Sequence, residues 1–177
     1  MTWVRDPANE LGDYVGFLPG IVVSVALALV LSHPVARRLR VSRTMATLLL
    51  VSFGVILAAT VTPSREAVQS GTLGAARCDL SRIGLAAWTD YTQVNDTSLN
   101  VLLFVPLGAF IGLLPRSPYR APIVIAAIAL PFAVEVFQLV VTPLGRACQS
   151  ADVFDNLLGL SLGLGVGLTA AWIGRRS

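Results

Sequence analysis

The sequence predicts an all-α integral membrane protein with five transmembrane helices in a single domain. Three observations predict this. Of the 177 residues, 55% are hydrophobic and 13% charged, with a mean hydropathy of +0.75, a composition more apolar than that of ordinary soluble domains. The apolar residues fall into five runs, each close to the ~20 residues a helix needs to cross ~30 Å of hydrocarbon. The third observation is charge. The chain has no lysine, and three stretches that carry arginine contain no acid.

The first span is expected near residues 14–31. Its leader holds Asp6, Glu10 and Asp13. An acidic leader, a long apolar run and no small-x-small site before His33-Pro34 argue against a cleaved signal peptide. The second span covers about 45–61 and stops at Thr62-Pro63-Ser64. Residues 62–97 form the one long connection. Within 78–91, Leu80, Ile83, Leu85, Trp88 and Tyr91 mix with Asp79, Arg82 and Asp90. A short helix lying at the membrane interface suits that mixture. A plain loop with scattered apolar residues is the alternative. The remaining spans are expected near 98–114, 121–141 and 153–173. Pro106 and Pro131 lie inside two of them, and each frees a carbonyl one turn earlier. Gly159, Gly163 and Gly167, with Gly108 and Gly112, recur at four-residue spacing. Small residues so spaced let helix backbones approach closely. Asp155, four residues before Gly159, should therefore face the bundle.

Orientation follows from arginine placement. Arg37, Arg38, Arg40 and Arg43 follow the first span, Arg116 and Arg120 lie between the third and fourth, and Arg175 and Arg176 end the chain. The positive-inside rule puts these stretches in the cytoplasm. The N-terminus is then outside and the C-terminus cytoplasmic, which needs an odd number of spans. Topology alone accounts for the cluster at 37–43. Anionic-lipid binding is its functional alternative. Cys78 and Cys148 both fall on the outer side, where a disulfide can form.

Glu135 lies in a deeply apolar span, where an ionisable side chain costs about 2.5–3.5 kcal/mol on insertion scales. Gln138 follows on the same helical face. Glu135 is expected about 9 Å below the outer boundary, at 1.5 Å per residue. Asn100, Arg146, Asp152, Asp155 and Asn156 fall at a similar level, at the outer ends of three consecutive helices. The inner halves of those helices hold almost nothing polar. That asymmetry argues against an ion path across the membrane and for a pocket opening outward. Arg146 is expected to pair with Glu135 or Asp155, or else to hold a lipid phosphate. A buried network that only fixes helix register is the alternative.

Other chemistries find no support. The single His33 lies on the inner side, so neither a histidine metal cluster nor a Ser-His-Asp arrangement is available. No glycine loop for phosphate is present. No cofactor, metal or nucleic-acid partner is expected, and no catalytic residue is assigned.

The run from Asn100 to Gly108 with Phe104 and Pro106, the Glu135/Gln138 pair, Arg146, and the run Asp152, Asp155, Asn156, Gly159 with Gly163 resemble the VanZ-like family. The resemblance covers about residues 98–167, the last three spans. The family takes its name from a small membrane protein associated with low-level resistance to teicoplanin. The resemblance implies a bacterial inner-membrane protein with an envelope role, and supplies no reaction. It implies site residues at Asn100, Glu135, Gln138, Arg146, Asp152, Asp155 and Asn156. Cys78 and Cys148 depart from its pattern.

Together these readings lead to an envelope protein that binds a lipid, a lipid-linked glycan precursor or a lipophilic glycopeptide antibiotic at the outer face. An enzyme acting on an outer-leaflet lipid, with Glu135 as acid or base, is one alternative. A scaffold or subunit of a membrane complex is another.

Overall fold

The computed structural model describes residues 17–176, the Arg65 side chain excepted. The acidic leader and the start expected for the first span lie outside the described residues. Among the described residues, five helices are long and apolar enough to cross a membrane. They are α1 (Phe17–Leu39), α2 (Arg43–Thr60), α5 (Asp96–Leu113), α6 (Arg120–Val140) and α7 (Ser150–Ile173). The long connection contributes α3 (Arg65–Ser70), β1 (Cys78–Asp79) and α4 (Trp88–Tyr91). A 3-10 turn (Thr142–Leu144) and β2 (Cys148–Gln149) join α6 to α7.

Helix ends follow local chemistry. Ser42 caps α2 by accepting the Met45 N–H at 3.1 Å. Asn95 and Ser98 form a capping box: Asn95 Oδ1 accepts the Ser98 N–H at 3.0 Å, and Ser98 Oγ accepts the Asn95 N–H at 3.2 Å. That cap starts α5 at Asp96 rather than at Ser98. α1 runs past the expected stop at Leu31 and through Pro34 to Leu39. Two contacts account for its continuation. Ala36 and Leu39 are buried beyond the proline. Arg43 of the next helix donates to Ser32 Oγ at 3.1 Å and to the Leu29 carbonyl at 3.3 Å.

Packing is set by glycines. α1 and α2 are antiparallel, and a Cβ added at Gly54 would meet Ser24 Cβ at 2.5 Å. α5 and α7 run parallel, with α6 as the return stroke. Gly159, Gly163 and Gly167 lie against the Val101, Val105 and Ala109 carbonyls in turn, and Gly108 and Gly112 face Leu160 and Leu164. The two helices advance in step, four residues for four. Without side chains at the seam, the backbones touch, so dispersion contacts replace the hydrophobic drive that lipid cannot supply. Phe104, Ile111, Leu107 and Leu160 close the core around this pair, with Ile56 from α2. The outward residues Leu102, Val136, Val140 and Val166 are exposed, as a lipid-facing surface requires.

Residues 78–91, open in the sequence to a short interfacial helix or a plain loop, are mostly loop. Only Trp88–Tyr91 is helical there. Three contacts hold the preceding residues in an irregular path. β1 pairs in parallel with β2, with Cys78 opposite Cys148, and these cysteines form a disulfide with Cα atoms 4.5 Å apart. Asp79 Oδ1 accepts the Ser81 N–H at 2.8 Å, which holds its carboxyl below the usual aspartate range. Gly84 sits at φ 111, a conformation other residues avoid. Leu80, Ile83, Leu85 and Trp88 remain exposed along this path.

Candidate functional site

The polar residues gather at one end of the bundle. α5 and α7 begin there, and α2 and α6 end there. A cavity of about 320 Å³ lies among these helices. Asn100 from α5, Glu135 and Gln138 from α6, Arg146 from the following turn, and Asp152 and Asn156 from α7 all line it. The spacing explains how α7 supplies two of them. Residues 152 and 156 are one turn apart, so both side chains share a face.

The fixed contacts are specific. Glu135 is buried, and its Oε2 accepts the Gln149 N–H at 2.7 Å. The carboxylate therefore holds β2 and the entry to α7. Buried Gln138 donates through Nε2 to the Thr60 carbonyl at 3.0 Å, which closes α2 against α6. Arg146 donates through Nε to the Thr62 carbonyl at 2.9 Å, and its charge acts on both Glu135 and Asp152. Asn156 is 1% exposed, and its Oδ1 has no hydrogen-bond partner among the described residues.

Two further groups also line the cavity. Among the described residues, Asp96 contributes a third carboxylate beside Glu135 and Asp152, against the one guanidinium of Arg146. Asp96 stands in the first turn of α5, one turn before Asn100. Apolar Leu99, Leu102 and Leu103 form a further wall, and Leu102 is 63% exposed on the lipid-facing side. The cavity thus joins a polar floor to the apolar exterior. Among the described residues no cluster of His, Cys, Asp or Glu has metal-binding geometry.

Asp155 is the exception in the expected set. It points into the bundle, fully buried, but does not line the cavity. Its partner is Arg82, not Arg146. Arg82 meets it with both ends of the guanidinium, Nη1 donating to Oδ1 at 3.2 Å and Nη2 to Oδ2. The Tyr91 hydroxyl also donates to Oδ1, at 3.0 Å. Pairing with Asp155 holds the Arg82 guanidinium above its usual range. Ser150 Oγ then donates to the Arg82 carbonyl at 2.7 Å. Asp155 and Ser150 therefore fasten the long connection to the first two turns of α7.

Residues 17–171 match the family described as VanZ/LLP1. The chain belongs to the VanZ/LLP1 family. The match spans the first two helices as well as the last three, so it reaches beyond the 98–167 core in which the sequence motifs lie. No curated protein and no solved structure matches the chain. With five apolar helices, this VanZ/LLP1 member is a multi-pass membrane protein. Its polar cavity and its loop-fastening Asp155 lie side by side at the start of α7, where one helix end serves both.

Proposed function

We propose that this VanZ/LLP1 protein is a cell-envelope protein whose polar cavity opens outward and binds an amphipathic envelope molecule. The ligand class is a lipid, a lipid-linked glycan or a lipophilic glycopeptide antibiotic, the last implying a contribution to antibiotic resistance. The observation that carries the reading is Asn156, a buried amide on the cavity wall whose Oδ1 has no partner among the described residues. A buried acceptor left unpaired costs about 1–3 kcal/mol, so a ligand donor there gains what the free protein lacks. Hydroxyl and amine groups are such donors. The carboxylates of Asp96, Glu135 and Asp152 favour the same groups, while Arg146 suits a phosphate. Leu102 and Leu103 lead from this floor to the lipid face, where an acyl chain would lie.

The test is mass spectrometry of lipid that co-purifies with the protein, compared with Glu135→Gln. The variant keeps an acceptor for the Gln149 N–H. It should melt as the wild type does and lose the bound molecule. Loss of folded protein would favour a structural network. Turnover of extracted envelope lipids by the wild type, abolished in the variant, would favour the second reading, an enzyme with Glu135 as acid or base.

A further inference from the structure

The end of the bundle opposite the polar cavity contains a second cavity, of about 550 Å³. It lies between the turn joining α1 to α2 and the turn joining α5 to α6. Arg37, Arg38 and Arg40 line one side, and Arg116, Ser117 and Tyr119 the other. Among the described residues no acid lines it, and no carboxylate pairs with any of these arginines. Four arginines thus line one concavity without a carboxylate partner among the described residues.

Two features show more order than a topogenic charge cluster requires. The Arg38 guanidinium carbon lies 5.2 Å from the Tyr119 ring centroid, a cation–π contact that joins the two turns. Arg40 has φ 57, the one positive φ outside glycine among the described residues. Glycine is the usual residue just past a helix end in that conformation. Here the position holds an arginine, and the turn sets it on the same cavity as Arg37 and Arg38. The positive-inside rule needs charge on one side, not a cavity. Arg175 and Arg176 meet that rule from the same end without lining the cavity, and Arg176 instead stacks 3.7 Å from the Trp172 ring centroid.

We propose that this basic cavity binds a phosphate-bearing anion. The arginine fork matches phosphate oxygens in pairs, and a basic pocket between the ends of membrane helices suits an anionic headgroup. The proposal is independent of the ligand of the polar cavity. The two sources of this chemistry are an anionic phospholipid and soluble phosphate.

The experiment uses the full chain in a neutral maltoside detergent. Dihexanoyl-phosphatidylglycerol, dihexanoyl-phosphatidylcholine and inorganic phosphate are titrated separately by calorimetry, with native mass spectrometry counting adducts. Phosphatidylglycerol should bind as one adduct, about tenfold or more tighter than phosphatidylcholine. Binding of inorganic phosphate alone would make soluble phosphate the source. Binding of neither anion overturns the proposal. Losing an arginine from the cavity should weaken binding about fivefold, and the paired R38Q/R116Q change by more. R40G provides a variant whose backbone favours folding, because glycine accepts φ 57 readily; it should melt at or above the wild-type temperature and still bind more weakly. R175Q/R176Q should leave affinity unchanged. An equal loss in that pair would mean diffuse attraction to the basic end, and would sink the site.

Discussion

Replacing Arg82 by Met leaves Asp155 buried without its counter-charge. The Asp155 side chain is 0% exposed and that of Arg82 29%. Removing one partner of a buried ion pair costs about 3–5 kcal/mol. Two facts place this pair at the lower end. Arg82 is partly in water, which screens the attraction, and the Tyr91 hydroxyl still donates to Asp155. A loss of about 3 kcal/mol follows, and at ~2–4 °C per kcal/mol for a chain of this size the melting point should fall about 6–12 °C. Differential scanning fluorimetry in maltoside detergent reads this directly. The double variant R82M/D155N should recover more than half the loss, since asparagine strands no charge and still accepts from Tyr91. A melting point for R82M within about 2 °C of wild type would refute the reasoning, because it corresponds to no more than ~1 kcal/mol. So would a double variant no more stable than R82M.

Three further outcomes are expected. Gly163→Ala should destabilise by about 1–3 kcal/mol, because its Cβ would meet the Val105 carbonyl across the α5–α7 seam. Gly165→Ala, two residues on and with nothing within 4 Å of the added Cβ, should instead stabilise by about 0.5–1 kcal/mol; comparable melting of the two variants would remove the seam argument. Glu135→Ala should cost about 1–3 kcal/mol through the orphaned Gln149 N–H, while Glu135→Gln should cost little, and equal melting curves would show that the bond is not needed. Thiol labelling tests the proposed orientation. After mild reduction, an impermeant maleimide should reach Cys78 and Cys148 in intact cells, and labelling only after permeabilisation would invert the topology.

The helices were legible because lipid imposes one simple demand, a long apolar run, and each run announces itself. The seam was legible for a similar reason: Gly159, Gly163 and Gly167 share a helix face, and nothing but close approach explains three absent side chains there. The cavity residues could be grouped because depth along a helix is read from position in the span. Depth does not reveal which neighbour a side chain meets. Asp155 was expected in the same group, yet it turns to Arg82, 73 residues earlier in the chain. That partner sits in an irregular segment, where periodicity carries no information and Gly84 redirects the backbone. The clue lay in the cysteines. Once Cys78 is bonded to Cys148, residue 82 is held within a few residues of the start of α7. The end of α1 escaped for a related reason. The apolar run gives out near Leu31, while burial of Ala36 and Leu39, with Arg43 reaching across, carries α1 onward through Pro34.

At the polar end, α6 is tied by side chains in two places. Gln138 holds the Thr60 carbonyl and Glu135 holds the Gln149 N–H. Both side chains are also walls of the cavity. On the proposed function, fastening and recognition would draw on the same side chains. A proposed guest that takes the N–H Gln138 now gives to the Thr60 carbonyl competes with α2 for it, and one that donates to Glu135 Oε2 competes with the Gln149 N–H at the entry to α7. Occupancy and the seating of α6 are then two sides of one equilibrium, and whatever loosens the helix end alters affinity by the same factor that the guest alters the helix.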